Sequence, residues 1–138
     1  MRICGVDYQG SELIPVVLDG EGDEWQVVAT KPKKLRIGDI YDTADVRLFA
    51  QEVRAFLTDF QIDLVVIKKR AKSGKFGGGA ASFRMGGVLQ LSTEKPVEFI
   101  SPQAVTAALR GVEHAATDKL LAYQQDAFKT ALGYALSR

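Results

Sequence analysis

The 138-residue sequence contains one cysteine and one histidine. It therefore cannot build a disulfide framework, and a zinc cluster of the usual Cys and His ligands cannot be assembled. No apolar run approaches the roughly 18 residues of a membrane-spanning helix. The N-terminus has only Arg2 before a short apolar patch, which is not the form of a secretion signal. An excess of one charge is missing too. Lys and Arg number 18 against 17 Asp and Glu, a formal net charge of +1, so any attraction to a polyanion has to be local. Repeats, low-complexity tracts and linkers are absent. With 46% hydrophobic residues, the expectation is one domain over residues 1–138 with a proper core, cytoplasmic and away from membranes. In such a protein Cys4, set among apolar neighbours, reads as a buried reduced thiol.

The first third reads as three strands, 2–9 ("RICGVDYQ"), 12–19 ("ELIPVVLD") and 24–31 ("EWQVVATK"), separated by Gly10 and by the turn-forming "GEGD". Pro15 inside the second strand calls for an edge position or a bulge. Beyond Asp42-Thr43, a fitting N-cap, Val46, Phe49, Ala50, Val53, Phe56, Leu57 and Phe60 recur at helical spacing. "DLVVIKK" alternates little, as a strand covered on both faces does. "AASFRMGGVLQLS" reads as a helix weakened by Gly86-Gly87, by about 1 kcal/mol for each glycine. "PVEFIS" is a fifth strand, and Ser101-Pro102 is a cap with a first-turn proline for the helix "PQAVTAALR". A last helix is expected from about Asp118 to the C-terminus, with Leu121, Gln124, Phe128, Ala131, Leu132 and Ala135 on one face. The order βββ, α, β, α, β, α-α implies a mixed five-stranded α/β sheet, three antiparallel strands then two parallel, with helices on both faces. Ligands of such sheets sit beyond the carboxyl ends of the parallel strands. There the first strand brings Asp7 and the fourth brings Lys68.

From Lys68 to Arg84 the chain carries six cations (Lys68, Lys69, Arg70, Lys72, Lys75 and Arg84), no acid, and glycines at 74 and 77–79. Cations with exposed backbone amides suit phosphate oxygens, so this loop is a candidate nucleic-acid contact; a solvated surface loop is the plain alternative. A phosphate-binding NTPase loop is excluded, because Gly74-Lys75 lacks both the upstream glycine and the following Ser or Thr. No strand-GxGxxG-helix exists for a dinucleotide. His114 has only Glu113 beside it and reads as a loop residue. Trp25 reads as sheet packing.

"ICGVDYQG", "IDLVVIKK", "AASFRMGGVLQL" and "PVEFISPQAVTAAL" followed by "ATDK" appear in an order and spacing that resembles the ribonuclease H-like superfamily. Within it the chain looks most like the RuvC-type Holliday junction resolvases, and like a small bacterial family of uncharacterised proteins with that fold. The resemblance covers nearly the whole length. It implies a two-metal phosphodiesterase site of about four carboxylates, since hard cations such as Mg²⁺ need oxygen ligands and compensating charge. Carried over position by position, the first aspartate is Asp7 and the central glutamate falls on Lys68. In the last helix Asp126 takes either the first acidic position, with Lys129 at the second, or the second, with Tyr123 at the first. One acid of that pair is lost in both registers.

A single positive charge about 4 Å from a divalent ion costs about 2 kcal/mol even in bulk water. The expectation is therefore a site of Asp7, Lys68 and Asp126 that binds nucleic acid without cleaving it, and without a metal cofactor. Three alternatives belong beside it. In one, Mg²⁺ or Mn²⁺ is held at Asp7 and Asp126, with Glu12 or Asp118 completing an active nuclease. In another, Lys68 pairs with Asp7 in place of the metal or is only a solvated lysine. In the last, the chain is a homodimeric interaction module with a purely structural old site. Asp126 falls nearly opposite Phe128 and Ala131 on a helical wheel, which favours a solvent-facing position. The implied partner is branched or single-stranded nucleic acid contacted by Lys69, Arg70, Lys72, Lys75 and Arg84.

Overall fold

A computed structural model of the chain describes residues 1–70, 79–113 and 120–138. The strands are β1 (Arg2–Gln9), β2 (Glu12–Glu21), β3 (Glu24–Val28), β4 (Leu35–Arg36), β5 (Leu64–Lys68) and β6 (Val97–Ile100). The helices are α1 (Thr43–Asp59), α2 (Ala80–Leu91), α3 (Pro102–Leu109) and α4 (Gln125–Leu136), the last preceded by a 3₁₀ turn at Ala122–Gln124. The sheet order is β3-β2-β1-β5-β6. Pairing is antiparallel from β3 to β1 and parallel from β1 through β5 to β6. The two-residue strand β4, on β2 at Glu12 and Leu13, is one strand more than the sequence suggested. It is too short to show a period.

Alternation along β1 sends Cys4, Val6 and Tyr8 to one face and Ile3, Gly5 and Asp7 to the other. The first set packs with Val65 and Ile67 of β5 under Phe49, Val53 and Phe56 of α1 and Met85 and Leu89 of α2. On the second face Ile3 packs with Ile14, Val16, Leu64 and Val66 under Val105 of α3 and Ala127, Phe128 and Ala131 of α4. Burial on both faces is why β5 reads as a continuous apolar run. Burial also pushes the Cys4 thiol up to about 12, so it stays protonated and unreactive. The helix starts follow their caps. Asp42 accepts from the Ala44 amide at 2.9 Å, and Ser101 accepts from that of Ala104 at 3.0 Å.

Pro15 sits in an unbroken register opposite Val6, so there is no bulge. On its other flank β4 reaches only to Leu13 and β3 begins only at Val17. The strand is locally an edge there, which is where a residue without an N–H fits. The last helix starts later than the sequence suggested: 114–119 lie outside the described residues, and α4 begins at Gln125. Leu121 is consequently not on the buried face but 48% exposed. Its amide donates to the Gln124 side chain at 2.9 Å, a tight local turn that breaks the helical periodicity.

Sheet and α4 approach each other closely at Gly5. A Cβ there would run into the carbonyl of Ala127 and lie 2.8 Å from the Ala131 Cβ. Gly5→Ala should therefore destabilise the fold, by about 1–3 kcal/mol, as overpacking does. Urea denaturation measures it; an unchanged midpoint would mean that α4 slides freely over β1.

Candidate functional site at the carboxyl edge of the sheet

Asp7 occupies the position before last but one in β1, on the α4 face, and is only 7% exposed. Burial raises its pKa from the ordinary 3.8, helped by the negative charge of Asp126. The Tyr8 backbone hydrogen bond and the charges of Arg70 and Lys68 pull the other way and do not cancel it. Asp7 is thus a carboxylate kept at some expense in stability, a feature that clusters at functional sites.

The cation that reaches it is Arg70. Its Nη2 lies 3.4 Å from Asp7 Oδ1 and donates to the Tyr8 carbonyl at 2.6 Å. Its guanidinium also stands 5.6 Å from the centre of the Tyr8 ring. Arg70 lies two residues beyond the end of β5 and crosses the sheet edge from the Asp7 side to the Tyr8 side. Lys68, half-buried, shares the Asp7 face by alternation from Leu64 and Val66. Among the described residues it makes no ion pair within 4.0 Å, and it acts on Asp7 through its field. The contact with Asp7, open for Lys68 in the sequence, thus belongs to Arg70. Sequence spacing places strand residues on faces but does not show how far a residue past the strand end folds back.

Asp126 is in the first turn of α4, solvent-exposed, with its charge felt at Asp7. The close seating of α4 on Gly5 brings it to this edge. Lys129 lines a groove with Thr106 of α3 and Arg110 just past its end. Tyr123 lies under Lys34 Nζ, 4.4 Å from its ring centre, and that same Nζ is 3.7 Å from Glu12 Oε2. Glu12, on the Asp7 face at the start of β2, is thus held by a lysine. Asp118 and His114 lie outside the described residues. Among the described residues no group of three His, Cys, Asp or Glu side chains is gathered as a metal centre needs. The guanidinium on Asp7 opposes a second cation at that carboxylate.

The cationic stretch is divided by the structure. Lys69 is exposed, and its amide is fixed to the Ile100 carbonyl at 2.8 Å. Lys72 and Lys75 lie outside the described residues. Arg84 stands apart, in a depression shared with Tyr41 and Arg47 at the start of α1. Tyr8 was not among the residues singled out from the sequence. Its hydroxyl is buried without a hydrogen-bond partner, and burial holds its pKa well above that of a free phenol. Strict alternation after Asp7 was the only available signal, since it sends Tyr8 to the opposite face.

The chain belongs to the family described as "Protein of unknown function (DUF3010)", which it matches over residues 1–134. No curated protein matches it. Among solved structures, the Thermus thermophilus RuvC structure aligns with a TM-score of 0.74 at 18% identity, covering 99% of this chain and 94% of that one. T. thermophilus RuvC in complex with a Holliday junction substrate aligns at 0.72, with the same identity and coverage. The yeast mitochondrial Holliday junction resolvase Ydc2 aligns at 0.59 and 10% identity, over 97% of this chain and 77% of that one. The fold is that of the RuvC-type resolvases, with its mixed sheet and helices on both faces.

The raised pKa of Asp7 carries a sign. The folded state holds the proton more tightly than the unfolded chain, so ionisation costs stability. That cost is absent below the unfolded value of 3.8, builds as pH rises to the raised folded value, and is fully present at neutral pH. Asp7→Asn should melt above the parent at pH 7, and the gain should shrink near pH 3. A lower melting temperature at pH 7 would show that the Arg70 contact outweighs burial.

Proposed function

We propose that this chain binds branched or single-stranded nucleic acid at the carboxyl edge of its sheet and does not cleave it. The observation that carries this reading is the Arg70 guanidinium against Asp7, with Lys68 on the same face. Phosphodiester hydrolysis on two metals needs carboxylates where this site presents cations, and cations attract the phosphate while repelling the metal. The Holliday junction in the T. thermophilus RuvC complex, and the name of the yeast enzyme, favour a branched partner over plain duplex. Lys68, Lys69 and Arg70 supply phosphate contacts at the site itself, and the neighbouring Lys72 and Lys75 extend the cationic run in the sequence.

Purified protein should bind a four-way junction, with log affinity falling against log salt at a slope of about −3 for three or four phosphate contacts. With Mg²⁺ the junction should stay intact. Lys69→Glu combined with Lys72→Glu should remove most binding, and Lys69→Glu alone, at an exposed position, should shift stability by no more than about 0.5 kcal/mol. Cleavage by the parent that disappears in Asp7→Asn would overturn the reading; cleavage that survives it marks a contaminant.

The misfit to metal has its own test. Lys68→Glu combined with Arg70→Ala places a carboxylate beside Asp7 and removes the competing guanidinium. The double variant should be less stable without metal, and Mn²⁺ should raise its melting temperature but not that of the parent, because a ligand of the folded state stabilises by mass action. Equal Mn²⁺ responses from the two proteins would show that the cations do not exclude the ion.

A further inference from the structure

A second recess opens at the same edge on the opposite face, between the β5–β6 strand ends and α2. It has a volume of about 450 Å³, in the range of small-molecule sites. Two aromatic rings line it half-exposed, Phe83 of α2 at 47% and Phe99 of β6 at 42%. Lys68, Lys69 and Arg70 line one end, and no acid is among the described residues that line it. Its α2 wall includes Gly86 and Gly87. Gly86 lies against the Tyr8 hydroxyl, where a Cβ would come within 3.2 Å of the oxygen, whereas a Cβ on Gly87 would meet nothing within 4 Å.

Exposed aromatic rings beside a cluster of cations recognise a flat ring that carries an anion. Bases stack on aromatic side chains irrespective of sequence, and the cations take the adjoining phosphate. With no acid among the described lining residues, a second copy docked by the same face would set its own Lys68, Lys69 and Arg70 against these with nothing there to pair them. We infer that this recess takes one unpaired nucleotide of a bound strand, its base between Phe83 and Phe99 and its phosphate on Lys69 and Arg70. Arg70 would then join the recess to the Asp7 site. This rests on the nucleic-acid reading above and narrows it, because a fully paired duplex offers no base to the recess.

Gly87→Leu is the informative variant. A Cβ there meets nothing within 4 Å and Gly87 lines the recess, so a leucine is expected to occupy part of it, and leucine favours the helix. Anisotropy titrations with a single-stranded oligonucleotide and a blunt duplex of equal length, alongside a melting curve, make the test. Gly87→Leu should weaken single-strand binding on the order of tenfold, the scale of losing one base–aromatic stack, with duplex binding unchanged. Phe99→Ala should weaken the single strand likewise. If the parent binds neither strand nor duplex, the nucleic-acid reading itself falls. If the parent binds and Gly87→Leu matches it on single strands, only the recess assignment falls. A Gly87→Leu effect on sedimentation without an effect on strand binding would give the recess to a second copy. Adenosine monophosphate binding that is lost in Gly87→Leu while strand binding persists would give it to a free nucleotide. Either result overturns the proposal.

Discussion

A carboxylate buried at the end of the central strand is the constraint around which this edge of the molecule is arranged. Asp7 sits where β1 is flanked by β2 and β5 and covered by α4, and its pKa is raised because water is largely excluded. Asp7 is two residues beyond Gly5 and on the same face, so the close passage of α4 that needs a glycine also helps shield the aspartate. The same passage carries the first turn of α4 to the sheet edge, where Asp126 adds a second negative charge. Two acids so placed favour a proton or a cation. The chain supplies the cation from within, as Arg70.

The two faces of the edge have different chemistry because strand alternation gives adjacent residues to opposite sides. Asp7 belongs to the α4 face and Tyr8 to the α2 face, while Lys68, at the end of β5, is within the field of Asp7 and also lines the recess beside α2 with Lys69. Arg70 is free of that rule, being past the strand end, and its guanidinium touches both sides: the Asp7 carboxylate on one, the Tyr8 ring on the other. A change felt on one face thus has a short physical route to the other.

Much of this was legible in the residues. Caps at Asp42 and Ser101, the period of α1, the unalternating β5 and the proline in β2 each carry a local physical signal, and each led to the element or position observed. The Asp7 and Lys68 strand ends were legible for the same reason, since parallel strands put their carboxyl ends on one edge. What escaped depends on distances across the fold. Which cation touches Asp7 depends on how Arg70 doubles back, and the placement of Arg84 depends on the rotation of α2 about its axis. Leu121 kept the helical period on paper, but a Gln124 side chain accepting from its backbone amide replaces the first turn by a 3₁₀ turn.

The choice of arginine at this edge bears on what the site can hold. Arginine remains charged at any ordinary pH, so Asp7 has a permanent counter-charge that does not vary with the supply of divalent ions. A guanidinium has five N–H donors. Here a single nitrogen, Nη2, serves both the short bond to the Tyr8 carbonyl and the longer contact with Asp7. The remaining donors are uncommitted to either group. On the proposed reading those donors are the ones that would meet a phosphate oxygen while Nη2 neutralises the carboxylate beneath, a division of labour that a lysine with one compact charge would do less well. Without that neutralisation a buried, charged Asp7 would repel any anion brought to this edge; with Arg70 against it, the repulsion is offset from within the chain.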